Sequence, residues 1–468
     1  MQKNFLSLAL VGTLALPALV AAAELLSVDD AIRHALSQNP ELRAADRQAQ
    51  AADARADAAK GAFLPQIGVR YMVRRSDNPL DAFADKLNTR TVDPATDFTA
   101  QALNYPDTST VHATQLTVEM PLYTGGRIDA GRREAGAYAE AARLGYERRQ
   151  QATAYNTLHA YRAAQAATYA VTIANDAVEA AREHAETTAR LVRQGRIVAS
   201  DRMTAELNLA SAESLREQAA SRQRLTLEEL RLMMGLPADA ALLLPPWKNP
   251  AAPPAVTAAA ESEQRALATR KDLKANEALL AASRTKITAA RSAFHPQVGV
   301  VAADSWYDDN AALDNKSQSI MGVVSMNLFN GGRDWHGLTA AQRETEQTEL
   351  RLEGARQAAR NEVRVATSRL NEATARRNIA AQSVDKAREN VRLVKQRYGE
   401  GRTILIDLLM AERVLVEARN EELNAGLGQE LSAAQLQLAE GSLALPGDDR
   451  MDAEGKATQR AVAETPVP

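Results

Sequence analysis

Asp201 and Asp407 are the side chains whose setting most suggests a chemical role. Each stands shortly after a Gly-Arg pair, Gly195-Arg196 and Gly401-Arg402, and the two lie 206 residues apart. Both fall in the first turn of a helix that a tight glycine turn should start. A carboxylate there complements the positive end of the helix dipole. If symmetry gathers several copies around an axis, the same carboxylates would line a narrow acidic mouth that favours cations. The two readings are compatible. Beside them, Ile197, Val198, Ile404, Leu405 and Ile406 are apolar where a solvated turn would be polar. They either pack into a core or form a tip on which a partner docks.

Little else in the chain offers chemistry. The six histidines form no His-x-x-x-His or Glu-x-x-His pattern. No Gly-x-Ser-x-Gly, phosphate loop or dinucleotide fingerprint is present. Cysteine is absent, which removes disulfides, thiolate metal sites and cysteine nucleophiles. Asp308, Asp309 and Asp314 could approach a divalent cation, but their spacing fits no known loop. No catalytic residue, metal or cofactor is expected. With net charge −3 and both signs interspersed, there is no basic face for nucleic acid.

The elements that must position the two aspartates are written twice. Met120-Pro-Leu-Tyr-Thr-Gly-Gly-Arg127 returns as Met326-Asn-Leu-Phe-Asn-Gly-Gly-Arg333, again 206 residues on. Ala62–Val69, with Pro65, returns as Ala293–Val300, with Pro296, at an offset of 231. Such a repeat decides architecture before other signals are weighed. We assign 24–240 to a first repeat, 241–258 to a linker, 259–440 to a second repeat and 441–468 to a loosely held tail. Residues 1–23 carry Lys3, an apolar run and Ala21-Ala22-Ala23, the layout of a cleaved signal peptide.

In each repeat the expected order is helix, proline, strand, loop, strand, Gly-Gly-Arg, very long helix, glycine turn, helix. Val28–Ala62 reads as one helix ended by Pro65. In the strand 66–76, Ile67, Val69, Tyr71 and Val73 take one face, while Gln66, Gly68, Arg70, Met72 and Arg74 take the other. Leu116, Val118, Met120 and Leu122 give 111–123 the same alternation. The second repeat supplies strands 297–307 and 318–329, the last with Ile320, Val324, Met326 and Leu328 on its apolar side. Strands of about ten residues suffice to cross a bilayer at a tilt. The loop Asp77–Thr110 should face outward from the barrel, with a short helix at Leu80–Leu87.

No proline interrupts 127–192 or 333–398, so each can form a helix about 100 Å long, returning through 200–234 and 404–440. Leu144, Tyr155, Leu158, Tyr169 and Ile173 fall on one face of the first; Val384, Val391, Val394 and Tyr398 do so on the second. Much of the 45% apolar content is alanine, and aromatic residues make up 4%, a composition suited to closely packed coiled coils. Pro65 and Pro296, with Gly125, Gly126, Gly331 and Gly332, mark hinges between strand and helix. The fold class is therefore an α+β membrane protein. Four strands cannot close a barrel alone, and open edges cannot sit in lipid. Three copies would give twelve strands with a lumen, whereas two would give a barrel filled by side chains.

The phrases Asn39-Pro40-Glu41-Leu42, Leu64-Pro65-Gln66, the two Gly-Gly-Arg junctions and Tyr398-Gly-Glu-Gly401 through Asp407 resemble those of the TolC-type outer-membrane efflux factor family. The resemblance covers nearly the whole mature chain. It implies a homotrimer whose twelve-stranded outer-membrane barrel continues into a helical tunnel in the periplasm. It also implies a periplasmic adaptor protein and an inner-membrane transporter as partners. By position, Tyr398 matches the family's gate tyrosine, Asp201 the aspartate it bonds, Ser200 a hydroxyl partner and Asp407 an acidic constriction ring. Gly195, Arg196, Ile197, Val198, Gly401, Thr403, Ile404 and Leu405 would form the adaptor-docking tip. The chain departs from the family where Thr403 stands for the gate arginine, with Arg402 one place earlier, and Met410 for a second acidic ring. The expected function is a passive exit duct for small molecules. Protein export by the same architecture is the alternative, and a non-conducting periplasmic coiled coil is the competing class.

Overall fold

The computed structural model describes residues 25–248, 258–310 and 312–447. The expected signal peptide, half of the linker and the tail beyond Gly447 lie outside the described residues. The first repeat comprises α1 (Val28–Gln38), α2 (Pro40–Lys60), β1 (Gln66–Ser76), α3 (Pro79–Asn88), α4 (Ala100–Asn104), β2 (Ser109–Tyr123), α5 (Arg127–Arg193) and α6 (Ala199–Met234). The second comprises α7 (Ala259–Thr269), α8 (Lys271–Arg291), β3 (Gln297–Asp308), β4 (Asn315–Ser325), α9 (Arg333–Gly399) and α10 (Leu405–Glu440). Corresponding helices match in length: 11 residues for α1 and α7, 21 for α2 and α8, 67 for α5 and α9, and 36 for α6 and α10.

The single helix expected over 28–62 is two helices. Pro40 brings no N–H to the ladder and sits at the first position of α2, where that loss is harmless. The Asn39 side chain accepts from the amides of Glu41 and Leu42 and so caps the new helix. Arg270 occupies the matching joint between α7 and α8. It is buried, its guanidinium gripping Asp272 at 2.7 Å and also Glu362.

The strands form one antiparallel sheet in the order β1-β2-β3-β4. Gln66 pairs with Glu119, Val118 with Ala302, and Ala302 with Ile320, which keeps the alternation in phase across the sheet. One face carries Ile67, Val69, Ile320 and Val324, each at least 70% exposed. Apolar side chains in that number cannot be left to water without large cost, so this face suits lipid. β1 and β4 are the edge strands, each unpaired along its outer edge among the described residues.

β4 differs from the expected 318–329. It begins at Asn315, opposite Tyr307, and stops at Ser325, opposite Gln297. Its partner runs out there because Pro296 has no N–H to extend the ladder. Leu328 and Phe329 lie beyond the strand, fully exposed. No helix among the described residues is long and apolar enough to cross a membrane.

α5 pairs antiparallel with α6, and α9 with α10. Only some of the large residues that the periodicity picked out are in the packing: Ile173 of α5 and Val384 of α9 are buried. Ala154, Thr157, Ala160, Tyr161 and Ala164 are buried in α5, while Leu144, Tyr155 and Leu158 flank them half-exposed. Small residues let the backbones approach closely, and Tyr161 satisfies its hydroxyl by donating to the Leu26 carbonyl at 2.7 Å.

At the sheet-to-helix junctions, Gly125 and Gly126 have φ of +61° and +87°, and Gly331 and Gly332 have +71° and +83°. The two junctions are unequal in space. A Cβ on Gly125 would lie 2.7 Å from the Cβ of His295 and 2.9 Å from the Ser292 carbonyl, whereas Gly331 faces open space. Gly331→Ala should cost about 1–2 kcal/mol from backbone strain alone. Gly125→Ala should cost about 1–3 kcal/mol more from the clash. Thermal unfolding in detergent should therefore show the larger fall in midpoint for Gly125→Ala.

Candidate functional site: paired turns at the helical end

The two long helices end in the same turn. Gly195 and Gly401 both have φ +71°, and no side chain but glycine takes this angle freely. Around each, three backbone bonds close the helix: Gln194 to Arg190, Gly195 to Val192 and Arg196 to Leu191 in the first, Glu400 to Gln396, Gly401 to Tyr398 and Arg402 to Arg397 in the second. Val198 and Ile404 then start α6 and α10 with no side-chain cap. Asp201 and Asp407 are accordingly the acidic residues of the first turns, where the uncapped amides make a carboxylate favourable.

The two aspartates differ in their surroundings. Thr403 donates its hydroxyl to the Asp407 carboxylate from one turn earlier. Ile197 holds the corresponding place before Asp201, so that carboxylate has no such local donor. Arg402 pairs with Glu400 at 3.0 Å and is three-quarters exposed, so within the protomer it braces its own turn. Ser200 is exposed, and its carbonyl accepts from Thr204. Burial, and then the Asp201 charge, push the Tyr398 phenol above its usual range.

The apolar residues of the tip divide between the two readings that the sequence left open. Leu405 is 5% exposed and packs with Ala185, Ala205 and Leu409, with Tyr398 and Leu209 alongside. Its place is in the core of the tip, not on its surface. Val198 and Ile404 are 63% and 64% exposed, and Ile406 is 44% exposed. They present an apolar surface with no occupant in the protomer.

Sequence reasoning missed the ties that join the two repeats just above the turns. His184 of α5 meets Glu412 of α10 at 2.7 Å, largely buried. Arg419 of α10 reaches Asp176 of α5 at 2.9 Å. A lone histidine in an alanine-rich seam was the available signal, but no spacing within either helix reveals a partner 228 residues away. Asp308, Asp309 and Asp314 do not converge, and no group of metal-ligating side chains occurs among the described residues.

A sheet apolar on one face and open at both edges, set on helices of this length, defines a component of an outer-membrane channel. The chain belongs to the outer membrane efflux protein family, whose model matches residues 31–236 and 263–442. It is 24% identical over 448 residues to the alkaline protease secretion protein AprF of Pseudomonas aeruginosa, covering 94% of this chain and 88% of that one. Over 254 residues it is 30% identical to the solvent efflux pump outer membrane protein SrpC of Pseudomonas putida, covering 51% of this chain and 53% of that one. Its fold is similar to that of the CmeC outer membrane channel of Campylobacter jejuni, with a TM-score of 0.74, 16% identity and coverage of 92% and 89%. The protein is thus an outer-membrane efflux component with a long helical extension into the periplasm.

Proposed function

We propose that three copies pair β4 of one with β1 of the next, closing a twelve-stranded barrel above a helical tunnel. The assembly is a passive duct. Small molecules delivered by an inner-membrane transporter and a periplasmic adaptor leave through it, and the energy comes from the transporter. The observation that carries this reading is the sheet itself: an apolar outer face, a polar inner face and two free edges, which are tolerable in lipid only if another copy pairs them. The paired turns at the far end of the helices form the mouth. There, Asp201 and Asp407 supply the charge, Tyr398 and Ser200 the hydroxyls that brace it, and the Val198 and Ile404 surface the seat for the adaptor.

The test is single-channel conductance of the purified protein in a planar bilayer. A small, cation-selective conductance from heat-modifiable trimers is expected. A soluble monomer without conductance would establish the periplasmic coiled coil instead. Protein export is the second reading, favoured by similarity to a protease secretion protein along nearly the whole chain. Crosslinking in cells separates the two, by whether the transporter captured with the adaptor is an exporter of small molecules or of polypeptides.

A further inference from the structure

The loop between β1 and β2 does not stand outward from the sheet as its sequence suggests. It does contain the expected short helix, α3, but that helix folds back over the polar face of the sheet at its outer end. The polar face is open at Gln66, Gly68 and Arg70, yet Val111 and Ala113, on the same face, are buried. α3 packs on β2 and β3 at this end of the sheet. Arg74, which also points from the polar face, binds Asp81 at 2.9 Å and Asp85 beside it, and Asp85 is 2% exposed. Ser109 of β2 donates to the other oxygen of Asp85 at 2.8 Å. Ala82 and Asp85 thus form the face of α3 turned to the sheet.

The rest of the loop is a folded unit rather than a loose connection. Lys86 pairs with Asp97, and Phe83 meets Phe98 edge-on at 5.7 Å. Arg90, a non-glycine residue at φ +57°, donates its guanidinium to the Lys316 carbonyl of β4 at 3.2 Å. The loop therefore spans the sheet from β1 to the far edge. On the opposite side of α3, Leu80 and Leu87, seven residues apart, are 83% and 54% exposed.

Resting on the trimeric duct proposed above, we infer that this loop is a second closure, at the outer mouth. Twelve strands about 4.8 Å apart and tilted about 40° enclose a backbone radius of about 12 Å. A helix with its side chains is about 10 Å thick. Three copies of α3, one lining each third of the wall, fill that opening, and their Leu80 and Leu87 faces meet around the axis. Passage of anything bulky requires α3 to leave the sheet, which means separating Arg74 from Asp81 and Asp85. The duct then has an outer lid held by an ion pair as well as an inner mouth ringed by carboxylates.

The absence of native cysteine makes the test direct. Thr117 lies on the polar face below α3, opposite Gly68. Thr117→Cys is labelled on intact cells by two impermeant reagents added outside, a small methanethiosulfonate and a bulky maleimide-polyethylene glycol. Asp107→Cys, in the exposed outer loop, reports that each reagent reaches the surface. We expect the small reagent to label Thr117→Cys in every background. The bulky one should do so about tenfold faster once Arg74→Ala or Asp85→Ala frees the lid, corresponding to ~1.4 kcal/mol of lost closure. Replacing residues 79–104 with a short Gly-Ser linker gives the same acceleration without depending on either variant, and trimers on a gel report assembly in each. Equal rates for the bulky reagent with and without the lid would overturn the closure and leave the duct standing. Failure of both reagents at Thr117→Cys in every background, with Asp107→Cys labelled, would overturn the lumen itself.

Discussion

Channels carrying both Asp201→Ala and Asp407→Ala are expected to lose most of their preference for cations. In the proposed trimer, six carboxylates surround the inner mouth, two from each copy. At about 10 Å from the axis in water, each contributes about 0.4 kcal/mol of attraction for a monovalent cation. Their sum is cut to roughly a third at 0.1 M salt, where the screening length is about 10 Å. What remains, ~0.9 kcal/mol of attraction for a cation and as much repulsion of an anion, is a difference of ~1.8 kcal/mol and corresponds to a permeability ratio of about twenty, since each 1.4 kcal/mol is tenfold. The double variant should bring that ratio close to one. Block by multivalent cations should weaken further, because it scales with the charge of the blocker. Lower salt should widen the gap between wild type and variant. An unchanged reversal potential in the double variant would remove both residues from the conduction path.

The single substitutions should not be equal. The Asp407 carboxylate accepts from Thr403 in its own turn, which holds the charge in one place. Asp201 has Ile197 where that hydroxyl would be and acts instead on Tyr398, whose phenol is pushed up by burial first and then by the Asp201 charge. Asp201→Ala should therefore disturb the packing around Tyr398 as well as selectivity, whereas Asp407→Ala should change selectivity alone.

The residues differ in how openly they announced these roles. Alternation fixed the facing of β1 and β2 residue by residue, because a one-residue slip would turn every side chain over. The tight turns were equally plain, since few residues besides glycine take a positive φ without strain. Elements that depend on a distant partner were not legible. β4 ends at Ser325 because its neighbour begins after Pro296, and nothing within 318–329 records that. The coiled-coil seam runs mostly through alanine and threonine because close approach of two backbones selects small residues, so of the large residues in a periodicity count Ile173 and Val384 are buried while Leu144, Tyr155 and Leu158 lie beside it. The inward fold of the outer loop rests on Arg74 meeting Asp85, both ordinary charged residues in sequence. The partnership of His184 with Glu412 crosses from one repeat to the other. At the tip, Ile404 and Leu405 are adjacent and similar in sequence, and only the helix geometry separates their surroundings.

That separation gives the second large effect. Ile404→Asp combined with Val198→Asp should abolish crosslinking of the adaptor while trimers remain normal in amount and heat stability. Both side chains are more than 60% exposed, so the substitutions should change folding stability by about 0.5 kcal/mol or less each. The docking surface itself would be lost, because a carboxylate pressed against an apolar partner must give up its hydration without a counter-ion. Leu405→Asp should act oppositely. It removes a side chain packed among Ala185, Ala205 and Leu409 and leaves a charge in its place, at a cost of about 3–5 kcal/mol. The tip should loosen, releasing Tyr398 from the same cluster, and without the adaptor the channel should conduct several-fold more than the wild type. Crosslinking that survives Val198→Asp and Ile404→Asp would move the adaptor's seat off the turns, onto the flanks of the helix pairs. A leaky channel from Ile404→Asp alone would show instead that its side chain seals the mouth in the assembled trimer rather than receiving a partner.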